Sequence, residues 1–268
     1  MPSRESSGPM IIFRNMNRIK FSIVGFVMMI ASQGHAQPSA KILIAAASDL
    51  KFALDSVAAT FKKNHPGTVD ITYGSSGKLF EQIANSAPFD IFFSADITYP
   101  QQLKEKQLTL SEIYIYGKGR IVLWSKKIDA KKEGINGLLS PVVMKIAIAN
   151  PQHAPYGKRA EEALAYYKMT EHVKSKLVFG ENISQTAQFV TSGAADAGIV
   201  ALSLALSPNM KKEKGSYFLI PEESHKPLEQ GAVITKHAQG NDYAKAFLDY
   251  MKSDAAGAIL RHFGFTKP

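Results

Sequence analysis

The chain has 268 residues, 45% hydrophobic and 21% charged, and contains no cysteine. This is a globular composition with enough chain for two medium lobes or one large domain, and it excludes disordered and collagen-like architectures. Without cysteine there are no disulfides, thiolate metal sites, Fe–S clusters or thiol nucleophiles, nor the residue that a bacterial lipoprotein anchor requires. The formal charge of +9 drops to +6 once the first 36 residues are set aside, because they carry Arg4, Arg14, Arg18 and Lys20 against Glu5. No run of five or six like charges occurs and aromatics are not interleaved with basic residues, so nucleic acid is not an expected partner.

Arg14, Arg18 and Lys20 precede an apolar stretch at 21–31 (FSIVGFVMMIA), followed by Ser-Gln-Gly-His-Ala with Gly34 and Ala36 at the small-residue positions of a signal-peptidase site. That stretch is far shorter than the roughly 20 residues a membrane span needs. Residues 1–36 therefore read as a signal peptide, and the mature chain from Gln37 as a periplasmic protein without membrane insertion.

The mature sequence opens with KILIAAA at 41–47, a continuous apolar run suited to a strand buried on both faces, and Ser48 follows at once. Leu50, Leu54, Val57 and Phe61 recur at helical spacing until Asn64-His65-Pro66-Gly67 stops them. VDITY at 69–73 alternates as a strand and runs into Gly74-Ser75-Ser76-Gly77, after which Leu79, Phe80 and Ile83 mark a helix. Strands follow at 90–95 (DIFFSA) and 121–124 (IVLW). A second unit of the same kind starts near Lys145, with KIAIA as a strand, a loop over 150–157 and a helix bearing Ala160, Ala163, Leu164 and Tyr167. A short strand at 177–179, a helix opening at 181–184 and a strand at 197–200 complete it. The tail adds a strand at 232–234 and helices over 242–251 and 255–262, returning to the first lobe. Strands alternating with helices predict a mostly parallel sheet in each unit.

In open α/β sheets, ligands sit at the carboxyl ends of strands. Four such turns carry hydroxyl or turn residues: Ser48, the Ser75-Ser76 pair, the segment 181–184, and the Pro-bracketed loop with Tyr156. A helix start presents unpaired N–H groups and the positive end of its dipole, so several converging starts make an anion site without Lys or Arg. The plainer alternative is that Ser48 and Ser76 merely cap helices. Enzyme motifs fail: GSSGKL has the wrong glycine spacing for a phosphate loop and Leu79 where Ser or Thr would hold magnesium, and G-x-S-x-G is absent. His65, His153, His172, His225, His237 and His262 are scattered, without metal-ligand spacing.

AAASDL, YGSSGKL, FDIFFSAD, NPQHAPYGKRAEEAL, GENISQTAQFV and DAGIVALSLA, in this order, resemble the periplasmic molybdate-binding proteins of ABC importers. The resemblance extends through PEESHKPLEQGAVI and ILRHFGF and covers nearly all of the mature chain. It implies an α/β, two-lobed type II periplasmic binding protein fold, with lobe one at 37–118 plus 230–268, lobe two at 119–229, and a tetrahedral oxyanion in the cleft between them. By position, Ser48 and Ser76 match hydroxyl and N–H donors, and Ile183 matches a residue used only through its N–H. Asp49 stands where some members use a backbone N–H, and its carboxylate is expected to face solvent. Where one version of the family supplies a tyrosine after GIV this chain has Ala201, whereas Tyr156 in APYG fits the other version. These residues would donate to the oxygens of molybdate, or of the similarly sized tungstate, rather than ligate the metal. No cofactor is implied; the implied partner is the membrane permease of the importer, and the protein is expected to be a monomer. Two alternatives stay open: another oxyanion such as sulfate, or an exported hydrolase with Ser48 or Ser76 as nucleophile and His153 as base.

Overall fold

A computed structural model describes residues 40–267; the signal-peptide assignment at 1–36 lies outside them. In chain order the elements are β1 (Lys41–Ala47), α1 (Lys51–Phe61), β2 (Thr68–Gly74), α2 (Ser76–Ala84), β3 (Ile91–Ser94), α3 (Thr98–Glu105), β4 (Tyr114–Gly119) and β5 (Ile121–Ser125). They continue with α4 (Ala130–Glu133), β6 (Ile146–Ala149), α5 (Pro155–Tyr166), α6 (Thr170–Val173), β7 (Leu177–Gly180), α7 (Ile183–Ser192), β8 (Ala197–Ala201), α8 (Leu202–Ala205) and α9 (Pro208–Lys212). The last are β9 (Ser216–Leu219), β10 (Leu228–Ile234), α10 (Asp242–Met251) and α11 (Asp254–His262).

Two five-stranded sheets result, ordered β2-β1-β3-β10-β4 and β7-β6-β8-β5-β9. The first three strands of each order are parallel, and the fourth pairs antiparallel with both its neighbours. Each sheet is therefore parallel except for one reversed strand, β10 or β5. Those two strands are also where the chain arrives from the other sheet. It leaves the first sheet through Arg120 alone, between β4 and β5, and returns between Leu219 and Leu228. This double crossing gives the two-lobed arrangement that the resemblance implies.

The alternation of β1 decides how the first sheet is sandwiched, since successive side chains point to opposite faces. Ile42, Ile44 and Ala46 join one cluster, with Leu54, Phe61, Phe247 and Leu260 of α1, α10 and α11, while Ala45 joins the other, with Leu79, Phe80 and Leu103 of α2 and α3. β3 repeats the division, with Ile91 and Phe93 on the first face and Phe92 on the second. A bridge between Lys118 and Thr266 ties the tail to β4, so the C-terminal helices complete the first lobe. The second sheet has one core, built on Trp124, Ile146, Ile148 and Ile199.

The strand β4, the strand β9 and the helix α3 have no counterpart in the sequence reading. β9 (SYFL) is exposed at every second residue on a sheet edge, and β4 (YIYGKG) carries two glycines, so neither has the continuous apolar signature of a central strand. The helix following NPQHAPYG starts earlier than its apolar spacing indicates. Pro155 occupies its first turn, where a missing N–H costs nothing. Tyr156 is therefore a helical residue rather than a loop residue.

Phe247 is fully buried and meets Phe61 edge-on at 5.0 Å between ring centroids. Replacing it with Ala should destabilise the protein by about 3–5 kcal/mol, read from urea unfolding; a change below 1 kcal/mol would contradict this account of the first core.

Candidate functional site

The carboxyl ends of β1, β2 and β3 from one sheet and of β6 and β7 from the other face the same space. A small pocket there is lined by Ala47, Ser48, Asp49, Gly74, Ser75, Ser76, Ala95, Ala154, Pro155, Tyr156 and Ile183. Ser48, Asp49, Ser76, Tyr156 and Ile183, each at most 4% exposed, thus come together from four separate turns. Ser48 opens a short 3-10 turn that leads into α1, Ser76 is the first residue of α2, Tyr156 the second of α5 and Ile183 the first of α7. Four helical starts converge on one point, and with them the positive ends of their dipoles.

Ser76 is not spent on capping, whereas Ser48 Oγ accepts from the Ser184 amide in the first turn of α7 at 3.3 Å. The cap residue of α2 is Ser75, whose side chain accepts no helix N–H and instead lies 2.9 Å from Nδ1 of His153. Ser76 Oγ accepts from the Ala95 amide at 3.0 Å, which fixes its position and leaves its hydroxyl hydrogen available. At α7 the cap is Asn182, whose Oδ1 accepts from the amides of Ser184 and Gln185. The Ile183 amide is not among those the cap takes.

The two lobes meet around this pocket through direct bonds. Ser48 Oγ donates to Asn182 Oδ1 at 3.1 Å, and Ser184 Oγ donates to the Ser48 carbonyl at 2.9 Å. The Gly77 amide donates to the His153 carbonyl at 2.9 Å, an approach that requires glycine, because a Cβ would overlap that carbonyl and the Tyr99 hydroxyl. At the rim, Lys78 Nζ and Glu181 Oε2 pair at 2.7 Å, with His153 Nε2 at 3.5 Å from the same carboxylate oxygen. The histidine considered as a general base thus contacts Ser75, not Ser48 or Ser76. Both its nitrogens serve the contact between lobes.

Asp49 departs from expectation. Its carboxylate faces inward, with 1% of the residue exposed. Oδ2 accepts from the Tyr156 hydroxyl at 2.9 Å and from Gln230 Nε2 at 2.9 Å, while Gln230 Nε2 also reaches the Tyr156 oxygen at 3.0 Å. Gln230 is held in turn by the Tyr116 hydroxyl, which donates to its Oε1 at 2.8 Å. The reason is geometric: the Asp49 carbonyl accepts from Ser203 Oγ, the 3-10 turn directs the side chain into the cleft, and two donors wait there. Gly119 makes the cluster possible, since a Cβ would fall on the Tyr156 hydroxyl and the Gln230 amide. Asp49 Oδ1 is buried without a hydrogen-bond partner. Burial pushes the Asp49 carboxyl up to about 6, against the hydrogen bonds from Gln230 and Tyr156 that favour its charge. Burial, then the nearby Asp49 charge, raises Tyr156 well above its ordinary value, so it stays a neutral donor.

Gln230 and Tyr116 were not singled out from sequence. The available signal was a Gln inside the apolar run LEQGAVI, since a buried polar side chain in a strand needs partners. Asn182 was legible only as part of a turn.

A carboxyl whose value is raised on folding, here from 3.8 to about 6, contributes stability fully present below the lower value and lost as pH rises through the higher one. Ionisation of Asp49 should therefore cost the native state about 2–3 kcal/mol by pH 7. Asp49→Asn should be more stable than the parent at pH 7–8, with the advantage shrinking towards pH 4. Urea unfolding across that range checks it; an advantage independent of pH would show that Asp49 does not titrate in this window.

The profile of the bacterial extracellular solute-binding protein family matches residues 42–266. The molybdate-binding protein ModA of Azotobacter vinelandii is 34% identical over 231 residues, covering 86% of this chain and 91% of its own. That of Rhodobacter capsulatus is 33% identical over 235 residues, covering 87% and 91%. The solved structure of the Azotobacter vinelandii periplasmic molybdate-binding protein superposes with a TM-score of 0.79 over 85% of this chain and 99% of that one, at 32% identity. With the family profile spanning residues 42–266 and 91% of the length of both curated relatives matched, the chain belongs to the bacterial extracellular solute-binding proteins.

Proposed function

We propose that this protein captures molybdate in the periplasm and delivers it to the membrane permease of an ABC importer, with tungstate as a near-equivalent ligand. The observation that carries this reading is the convergence of four helical starts on a pocket lined by Ser48, Ser76, Tyr156 and Ile183, with no Lys or Arg among its lining residues. Its relatives named molybdate-binding proteins support the choice of ion. A fully deprotonated dianion suits a site rich in neutral donors. Five to seven charge-assisted bonds at about 1.5–3 kcal/mol each, less ordering and desolvation, support affinities between about micromolar and nanomolar.

The binding residues in this reading are Ser48, Ser76, Tyr156 and Ile183, together with Asp49. The lobes are residues 37–118 with 230–268, and 119–229, and they hinge at the two chain crossings. Ser48 and Ser76 approach from one lobe, Ile183 and Tyr156 from the other, Tyr156 through the hydroxyl that holds Asp49 Oδ2, so only the closed form assembles the whole site. The monomer is the working unit, and the permease reads the closed form. The alternative of hydrolysis with Ser48 or Ser76 as nucleophile loses its support, because His153 is engaged by Ser75 and Glu181 rather than by either of them.

Titration calorimetry of the mature chain with molybdate, tungstate, sulfate and phosphate tests the reading. Molybdate and tungstate should bind within tenfold of each other, and sulfate and phosphate far more weakly. Tighter sulfate binding would keep the fold and change the ligand, and a hundredfold gap between molybdate and tungstate would refute the equivalence. Ser76→Ala should weaken molybdate by about 1–3 kcal/mol; unchanged affinity would remove Ser76 from the site.

A further inference from the structure

Resting on the molybdate reading, we propose that Asp49 acts in the site as a neutral carboxylic acid, its Oδ1–H donating to an oxyanion oxygen, so that capture of the dianion takes up one proton. The geometry points to this in three steps. First, the two carboxylate oxygens are differentiated. Oδ2 is held by the Tyr156 hydroxyl and Gln230 Nε2, whereas Oδ1 is buried with no partner, on a residue that lines the pocket. Second, Asp49 faces no cation. The groups against it are Tyr156 of α5, Tyr116 of β4, the neutral Gln230 of β10 and Ser203 of α8, and the amides of Asp49 and Leu50, so no full positive charge offsets a carboxylate placed beside a dianion. Third, like charges sharing a buried site force one of them to bind a proton. Molybdate at neutral pH carries no proton to give, so the proton comes from solvent and resides on Oδ1.

The same arrangement explains how Tyr156 can stay bonded to Asp49. Protonation at Oδ1 leaves Oδ2 a carbonyl oxygen that still accepts from Tyr156 and Gln230, so the clamp persists while the carboxyl turns from a repelling group into a donor. A carboxyl already raised by burial needs only a modest further shift. The device also sets a preference among ions. An oxyanion that carries its own proton can donate it to ionised Asp49, whereas a bare dianion requires Asp49 to be protonated.

The test is calorimetric titration of the mature protein with sodium molybdate from pH 6.5 to 8.5, in two buffers of different ionisation enthalpy. Kd should rise roughly tenfold per pH unit above about pH 7, and the buffer dependence should give close to one proton taken up per molybdate bound. In Asp49→Asn the amide donates without titrating, so Kd should change less than about threefold over the range and proton uptake should vanish. Gln230→Leu removes one donor to the ionised form, so the pH at which affinity starts to fall should move upward. A flat wild-type Kd without proton uptake, or an Asp49→Asn protein that keeps the wild-type slope, would each overturn the proposal. If folded wild-type and Asp49→Asn proteins bind neither molybdate nor tungstate at any pH, the ligand reading itself falls.

Discussion

A buried carboxylate standing where four positive helix ends meet is the constraint from which the rest of the cleft follows. Isolated in such a pocket, Asp49 would carry a desolvation cost of several kcal/mol. The protein offsets it with two neutral donors on one oxygen rather than with a cation. Those donors come from different places in the chain, Tyr156 from the second lobe and Gln230 from the strand that returns to the first. The cluster therefore requires the double crossing. It also requires Gly119 at the first crossing, since any larger residue would occupy the space where the tyrosine and glutamine meet.

The lobe contact is divided between two kinds of interaction. Inside the cleft, bonds such as Ser48 to Asn182 and Ser184 to the Ser48 carbonyl are shielded and contribute about 1 kcal/mol each. At the rim, Lys78 and Glu181 are both more than a third exposed, so their pair contributes about 0–1 kcal/mol and weakens with salt. Together these contacts favour closure without locking it. A ligand shifts the equilibrium only by its differential affinity for the closed form, and the pocket is lined by residues from both sheets.

Much of this was legible in the sequence, for identifiable reasons. KILIAAA, DIFFSA and KIAIA are buried on both faces, and continuous apolar runs of that length announce central strands. GSSG and APYG mark turns at strand ends, and the ordered motifs named the family. What was hidden belongs to long-range geometry. The edge strands β4 and β9 have too little apolar surface to announce themselves. The partners of Asp49 lie 107 and 181 residues away in sequence, so local patterning gives no reason for its side chain to turn inward. A charged residue in a first helical turn ordinarily faces water, and only the assembled cleft supplies the two donors that reverse this.

That reversal changes how the site's selectivity is to be understood. A pocket built purely of neutral donors distinguishes tetrahedral dianions mainly by size, because the charge and shape of the ions are alike. Adding one titratable group introduces a second criterion, the number of protons the ion brings with it. On the proposed reading this discrimination is steep, since a lone pair facing a lone pair in a buried site costs far more than a missing bond at the surface. On the proposed reading Tyr156 and Gln230, the latter held by Tyr116, have a function beyond packing: by holding Oδ2, they determine which oxygen remains free to meet the ion. The clamp is set in the first lobe's returning strand and completed from the second lobe, so on the proposed reading the group that reads the ion's protonation is assembled where the two sheets meet.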